Sequence, residues 1–563
     1  MSHLENIQKA QTLKDIAAIL RVQAKYISYF LYKLPESAKY YTFEIPKRNG
    51  EMRVINAPQP RLKMLQRRLA DTLYRCVTDI YGEPPNRLLS HGFLRSRSIF
   101  TNASLHKNRR YVLNMDLKDF FPSFNFGRVR GYFMKDNRFE LHERVATIIA
   151  QIACHNNELP QGSPCSPIIT NLIGHLLDVR LVRFAQQNKC SYSRYADDIT
   201  FSTNLKEFPA ELALPTDESS QNWQLSAALL SEIHNAGFEV NKDKTRMQFR
   251  GSRQTTTGLI VNRKVNVRSE YYKNVRAICH QLFSTGTYYI SDPENPVRDK
   301  NKVEGMLNHL YYIKDLADIR PDSIKKKEPL AIQELYKRFL FYKHFVTLDN
   351  PLIVTEGKTD PIYLRIAIKK LKEHYPQLGE LVDGKFRSNI RFMNYTTMTK
   401  KILQLGEGTS QINEFIRTYK KVMNTFKFRP LAYPVIVLVD NDEGAQKTFN
   451  TISDSFKIEI SHKTTEPFYH LYANLYIIKT PESGNDYQSK IEDLFNPGLF
   501  QITIDGKNFD PSKNHSKNDS YGKTVFAKKV VVPKANEIDF SNFRKVLDRI
   551  VAVMDNYKNT ANP

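Results

Sequence analysis

Two neighbouring aspartates, Asp197 and Asp198, occur in the run Tyr192-Ser-Arg-Tyr-Ala-Asp-Asp-Ile-Thr-Phe201, between short segments rich in Tyr, Ile, Thr and Phe. The pattern predicts a β-hairpin with both acids at its tip. Adjacent like charges repel, so a fold that keeps them together calls for a cation between them. Oxygen-only ligation suits Mg²⁺, which takes one or two carboxylates and leaves positions for water and phosphate. Asp is also an ordinary turn residue, so taken alone the pair reads as a polar hairpin. A third acid, Asp116, ends the β-rich run Tyr111-Val-Leu-Asn-Met, and Phe120 and Phe121 follow it. An unpaired carboxylate at the end of a buried strand is costly, and a metal would satisfy it. Far downstream, Glu356 follows Pro351-Leu-Ile-Val-Thr, and Asp440 and Asp442 follow Tyr433-Pro-Val-Ile-Val-Leu-Val. Acids at the C-terminal ends of such strands stand where α/β sheets place their ligands. Taken singly, Glu356 is also a helix-start acid favoured by the dipole, and Asp440 and Asp442 a turn.

The elements that must position these acids follow from periodicity and punctuation. Leu13, Ile16, Ala17 and Leu20, then Ile27, Phe30 and Leu31, predict two short amphipathic helices. Asn49-Gly50 marks a hairpin between strands, with Lys47, Arg48 and Arg53 nearby as cations for a triphosphate or as a solvated basic surface. A helix is predicted over Leu62–Tyr74. The rigid loop Leu159-Pro-Gln-Gly-Ser-Pro leads into another over Ile168–Ala185. Between Val267 and Ile313, Tyr271, Tyr272, Val275, Ile278, Leu282 and Phe283 recur at helical spacing with Lys and Arg between them. Asp315–Pro329 reads as a linker, and Leu330–Phe345 as a helix. The second half alternates continuous apolar strands with helices, which indicates a parallel sheet covered on both faces. Ile491-Glu-Asp-Leu494 is a plain helix face or a further acid.

The chain has 563 residues, enough for several domains. Hydrophobic residues make up 41% and charged residues 25%, a composition with real cores rather than disorder. Lys and Arg number 83 against 59 Asp and Glu, a net charge of +24 that points to a polyanionic partner, nucleic acid before a membrane surface. No apolar run approaches the roughly 20 residues of a spanning helix. Glu5 and Asp15 among the first apolar residues argue against a signal peptide. Five scattered cysteines without a Cys-x-x-Cys read as reduced thiols of a cytosolic protein.

Asp116 with Phe121, then Gln161-Gly162-Ser-Pro, then Tyr195-Ala-Asp-Asp, then Gly237-Phe-Glu-Val-Asn-Lys-Asp-Lys244, come in the order of the successive motifs of a reverse transcriptase. Asn102-Ala103-Ser-Leu-His106 matches the Asn-Ala-x-x-His signature of bacterial retron reverse transcriptases. Thr255-Thr-Thr257-Gly258-Leu-Ile-Val resembles their Val-Thr-Gly motif, with Thr256 in place of the valine. The resemblance covers roughly residues 20–315 and implies a right-hand polymerase. It implies that Asp116, Asp197 and Asp198 bind two Mg²⁺ ions, which activate the primer hydroxyl and stabilise the leaving pyrophosphate. It makes Phe121 the residue excluding a 2′-hydroxyl, and Gln161 and Gly162 part of the nucleotide pocket. Lys47, Arg53 and Arg95 become cations for the triphosphate, and Lys242 or Lys244 the proton donor to pyrophosphate. Asn102, Ala103, His106, Thr257 and Gly258 are assigned to the family motif and RNA binding, and the helices after Val267 to a thumb on an A-form duplex.

Glu356-Gly-Lys-Thr-Asp360 and Asp440-Asn-Asp442 together resemble a toprim domain, over roughly residues 349–480. That resemblance implies Mg²⁺ or Mn²⁺ on Asp440 and Asp442, Glu356 as metal ligand or general acid–base group, and Asp360 as the extra acid of the nuclease branch. The expected fold class is therefore α/β multidomain, an α+β polymerase followed by an α/β toprim domain with a parallel sheet. The expected divisions are 1–45 helical, 46–262 fingers and palm, 263–318 thumb, 319–348 linker and helix, 349–480 toprim, and 481–563 its extension. A fused reverse transcriptase and toprim domain resembles one class of bacterial retrons. The resemblance implies a cytoplasmic enzyme that joins a short DNA 2′–5′ to its cognate structured non-coding RNA, uses dNTPs, and carries an effector against phage. It leaves room for a homo-oligomer or a ribonucleoprotein assembly and implies no membrane partner. The competing readings are a group II intron-like or CRISPR-associated reverse transcriptase with an unrelated partner domain, and an inactive nucleic-acid-binding scaffold.

Overall fold

The computed structural model describes residues 2–46, 50–83, 89–216, 222–290, 292, 294–484, 486–511 and 519–561. The chain divides into two compact units, Met1–Ser269 with Ile313–Ile319, and Glu270–Tyr312 with Arg320–Pro563. Among the described residues, no helix is long and apolar enough to cross a membrane.

The first unit opens with short helices at His3–Lys9, Leu13–Ile19 and Ala24–Ser28, the last running on into a wider turn over Tyr29–Lys33. Strands β1 (Tyr40–Pro46) and β2 (Met52–Pro58) pair antiparallel, Tyr40 opposite Pro58 and Pro46 opposite Met52. Helix α1 (Pro60–Tyr81) starts with a proline, whose missing N–H costs nothing there. It buries Leu62, Leu65, Leu69 and Leu73, and it outruns the predicted end at Tyr74 because Cys76 and Val77 continue that stripe. After α2 (Ile99–Ser104) comes the four-stranded sheet of the unit, formed by β3 (Tyr111–Leu117), β4 (Ser191–Tyr195), β5 (Asp198–Thr203) and β6 (Val240–Phe249). Its order is β4-β5-β3-β6 and every pair is antiparallel. Helix α3 (Ser166–Gln187) is apolar nearly all round, with Ile168, Ile169, Leu172, Ile173, Leu177 and Leu181 buried, and so lies inside the core.

The second unit takes in the helices expected to form the thumb, since Glu270–Tyr312 groups with it. Helix α4 (Ser269–Thr285) places Phe283 against Tyr342 and Phe426, with ring centroids 5.2 and 5.1 Å apart. Tyr342 Oη donates to the Leu282 carbonyl at 3.0 Å, and the Lys427 and Phe428 amides donate to the Phe283 carbonyl. The stretch expected as a linker is instead largely helical. α5 (Lys300–Ala317) reaches into it, a short helix covers Asp322–Lys327, and α6 (Ala331–Phe341) follows. The sheet of this unit consists of β7 (Leu352–Thr355), β8 (Arg391–Phe392), β9 (Val435–Val439), β10 (Tyr469–Tyr472) and β11 (Leu475–Lys479), in the order β8-β7-β9-β11-β10. The first four in that order run parallel, and β10 closes the edge antiparallel. Strands β7 and β9 are buried along their whole length, as a sheet covered on both sides requires. Helix α7 (Asp360–Lys370) follows β7, and α8 (Arg544–Ala561) supplies Val546, Leu547, Ile550 and Val553 to the core over the sheet.

Candidate functional site

Among the described residues, each unit brings acids together beside strand ends. In the first, Asp116 lies opposite Asp198 in the β3–β5 pairing, and Tyr195 lies opposite Asp198 across the hairpin. Asp197 fills the turn, its carbonyl accepting from the Leu117 amide at 3.0 Å. Ala196 sits at φ +57°, so a two-residue turn brings both acids beside the end of β3. Asp116 is buried, and its Oδ1 accepts from Lys244 Nζ at 2.8 Å. Burial raises the Asp197 carboxyl, and Asp116 adds to the effect. Asp198 keeps contact with solvent, yet the surrounding protein, then Asp197 and Asp116, push it up to about 6. The hydrogen bond to Asp116 holds the Lys244 ammonium above its ordinary range.

Around these acids the predicted residues divide. Arg53 on β2 acts electrostatically on Asp197. Phe121 meets Phe120 edge to face and Phe93 at a tilt, with centroids 5.6 and 6.2 Å apart. Gly162, at φ +116°, presses its backbone on β2, where a Cβ would come within 3.1 Å of the Asn56 carbonyl. That approach and that φ both demand glycine. Gln161 beside it is half-buried. Both candidate lysines, Lys242 and Lys244, are exposed, and Lys244 reaches Asp116. Arg95 is turned to the surface of α1, 3.8 Å from Asp71 and over the Tyr74 ring. Lys47 lies outside the described residues.

One assignment needs correcting. Asn102, Ala103 and His106 are fully buried, so RNA cannot touch them in the folded chain. His106 instead bridges the Ser202 and Ser193 hydroxyls, each at 2.7 Å, and ties α2 to β4 and β5. Burial pushes its imidazole down to about 3, so it stays neutral. Thr257 and Gly258, both at positive φ, form the turn of a small hairpin, and Thr257 Oγ1 donates to the Ile99 carbonyl of α2 at 3.4 Å.

In the second unit, Glu356 and Asp440 directly follow the adjacent parallel strands β7 and β9. Asp440 Oδ1 accepts from the Ile491 amide at 2.9 Å. Asp360, at the start of α7, accepts from the Gly357 amide at 2.8 Å. Burial pushes Asp360 up to about 6, with Glu492 adding to it. Asp440 is raised well above the carboxylate range by burial, then by Asp360 and Glu492. Glu492 is the residue that periodicity left undecided. It is 3% exposed, its Oε2 accepts from Lys523 Nζ at 2.8 Å, and its Oε1 has no partner among the described residues. Burial alone would lower the Lys523 ammonium, but Glu492, Asp440 and Asp360 around it hold it above its ordinary range. The cluster is therefore Asp360, Asp440 and Glu492 around Lys523. Glu356 is tied to Thr409 Oγ1 at 2.6 Å. Asp442 spends Oδ1 on the Gly444 amide at 2.9 Å, capping a turn, and its Oδ2 lies 3.8 Å from Lys490.

Among the described residues, no three His, Cys, Asp or Glu side chains close into a ready metal cage. Mg²⁺ does not require one, since it takes one or two carboxylates and completes its shell with water and phosphate. Crowded, oxygen-only carboxylates fit that ion in the first unit, and the spare buried oxygen of Glu492 fits it in the second.

The reverse transcriptase (RNA-dependent DNA polymerase) family matches residues 45–267. The chain is 35% identical over 291 residues to the retron Mx65 reverse transcriptase of Myxococcus xanthus, a match covering 48% of this chain and 63% of that one. It is 30% identical over 272 residues to the retron Ec86 reverse transcriptase of Escherichia coli, covering 48% of this chain and 78% of that one. Among solved structures, apo telomerase from Candida tropicalis aligns at 14% identity and a TM-score of 0.29, over 54% of this chain and 60% of that one.

Proposed function

The chain belongs to the retron reverse transcriptases, and from that membership we propose that its first unit copies RNA into DNA at Asp116, Asp197 and Asp198. The observation that carries this reading is the meeting of three carboxylates from β3 and the β4–β5 turn, with Lys244 on one of them. Bound Mg²⁺ would supply activation of the primer hydroxyl and charge stabilisation for the leaving pyrophosphate. Asp116, Asp197 and Asp198 would hold it. Phe121 closes the sugar side of the pocket against a 2′-hydroxyl, and the Gly162 backbone, flush on β2, leaves room for the base pair. Arg53 neutralises triphosphate charge, and Lys244, which now rests on Asp116, is the group placed to give a proton to pyrophosphate. The substrates are dNTPs and a cognate structured RNA in the bacterial cytoplasm, and the product is a short DNA joined 2′–5′ to that RNA.

The test is to sequence the nucleic acid that co-purifies with the protein. An RNA with attached DNA, sensitive to both RNase and DNase, is expected from wild type and not from Asp197→Ala. Wild-type protein with no primer extension on an RNA template would overturn the reading.

For the second unit the reading is a toprim-type, metal-dependent phosphodiesterase serving as an effector in phage defence. Its support is the cluster of Asp360, Asp440 and Glu492, with Asp440 and Glu356 directly following adjacent parallel strands. Incubation with DNA, RNA and tRNA plus Mg²⁺ or Mn²⁺ tests it. Cleavage that Glu356→Ala abolishes is expected, and no Glu356-dependent cleavage of any of the three would discard it.

A further inference from the structure

The hairpin that carries Asp197 and Asp198 is fastened from beneath by an ion pair from which solvent is excluded. Arg194 and Asp178 are both 0% exposed. The guanidinium holds the carboxylate with two parallel bonds, Nε to Oδ1 at 2.7 Å and Nη2 to Oδ2 at 2.8 Å. Its remaining nitrogen, Nη1, donates to the Ala196 carbonyl at 3.0 Å, inside the turn. Tyr192 Oη also donates to Asp178 Oδ1, at 2.7 Å. One charged group thus joins α3, which bears Asp178, to the strand and the turn that present the acids.

The surroundings are shaped for that fork. Gly174 on α3 leaves space for it, since a Cβ there would stand 2.9 Å from Nη2. The Phe120 ring lies 5.8 Å from the guanidinium carbon. The turn is clamped from its other side as well. The His91 amide donates to the Arg194 carbonyl at 2.7 Å, and a Cβ on Gly92 would stand 2.7 Å from the Ala196 nitrogen. Asn171, also on α3, donates to the Gly92 carbonyl at 2.8 Å. Ala196 needs such fastening, because φ +57° is unfavourable for a residue with a Cβ. A buried ion pair is a poor source of stability, because desolvation cancels most of the attraction. What this pair does well is fix a position, since a planar fork cannot serve Asp178 and Ala196 except in one orientation.

We propose that Arg194 and Asp178 are positioning residues for polymerisation, holding the Ala196 turn so that Asp197 and Asp198 face Asp116. This rests on the polymerase reading, and it adds that the geometry of the acids is set from the interior side of the hairpin. Three variants of the full chain test it. Arg194→Lys keeps the charge and loses the fork. Gly174→Ala pushes on the fork and removes no charge. Asp178→Leu with Arg194→Met removes both charges together, so neither is stranded. Each is compared with wild type for melting temperature, for hydrogen exchange of the 195–198 amides, and for dNTP incorporation against Mg²⁺ concentration.

The expected result for every variant that melts within a few degrees of wild type is exchange at 195–198 faster by about tenfold. The Mg²⁺ needed for half-maximal incorporation rises by about tenfold, and kcat falls by about 100-fold with KM for dNTP little changed. Folded Arg194→Lys and Gly174→Ala proteins with wild-type exchange and wild-type Mg²⁺ dependence would overturn the proposal. Faster exchange in a chain whose wild type makes no DNA would instead overturn the polymerase reading and leave the mechanical role of the pair standing.

Discussion

The acid centre of the first unit is an open ledge, whereas that of the second is a buried knot. Asp198 meets solvent and Lys244 is 59% exposed, so the first unit's lysine can leave Asp116 by a simple rotation. Glu492 is 4% exposed along its side chain and Lys523 33%, with Asp360 and Asp440 packed behind them. Charges on an open ledge cost little to rearrange, while a buried carboxylate that loses its cation is left with an uncompensated charge. The difference teaches that the first centre can part from its lysine at little cost. The second holds Lys523 among acids that would be left uncompensated without it.

Breaking the two centres separately gives the sharpest contrast. Asp197→Ala should lower DNA synthesis by about 10⁴-fold, the loss of roughly 5 kcal/mol of transition-state stabilisation, with cleavage by the second unit unchanged. Single-turnover primer extension beside a cleavage assay reads both. Glu492→Ala should do the reverse, cutting metal-dependent cleavage by about 10³-fold while extension proceeds at the wild-type rate. Equal loss of both activities in either variant would mean that the centres are not independent.

The two lysines sharpen the same contrast at smaller amplitude. Lys244→Ala should slow extension by about 100-fold and leave the melting temperature within a degree or two, as removal of an exposed proton donor does. Lys523→Ala should cost about 2 kcal/mol of stability, because it strands Glu492, and thermal denaturation would show it. The last prediction concerns acid. His106 stays neutral in the folded chain down to about pH 3, whereas its imidazole in the unfolded chain takes a proton near 6.5. Between those values the unfolded state binds more protons, so stability falls as pH drops. His106→Asn should flatten that part of the stability curve, measured by denaturant titration from pH 7 to pH 4.

What the sequence discloses depends on how each residue is held. Glu356 and Asp440 directly follow short apolar strands, and Asp116 stands one residue before the end of β3, so the sequence shows where each strand stops. The hairpin acids are legible because Tyr, Ile, Thr and Phe flank them. Glu492 is not, since it sits in a short tight turn, Ile491–Leu494, with no period to show its buried side. Its place beside Asp440 comes from the Ile491 amide, which meets Asp440 only through the tertiary fold. Asp442 is ambiguous in sequence for a different reason, since Asp near a strand end serves a local cap as readily as a ligand. The Asn-Ala-x-x-His run marks the family, but its residues brace the sheet from inside, which no surface argument from charge could show. The helices after Val267 are legible as helices. Their grouping with the second unit comes from Phe283, whose partners Tyr342 and Phe426 are remote in sequence.

That remoteness has a consequence for synthesis. A chain leaves the ribosome from its N-terminus at about 5–20 residues per second, and its units fold as they are completed. All four strands of the first sheet are available once residue 249 has emerged. The knot of the second unit cannot be tied before Lys523 appears, and its core stays open until α8 delivers Leu547 and Ile550. The centre read as a polymerase is thus complete long before the one read as a cleaving effector, and every nascent chain passes through an interval in which only the first can exist.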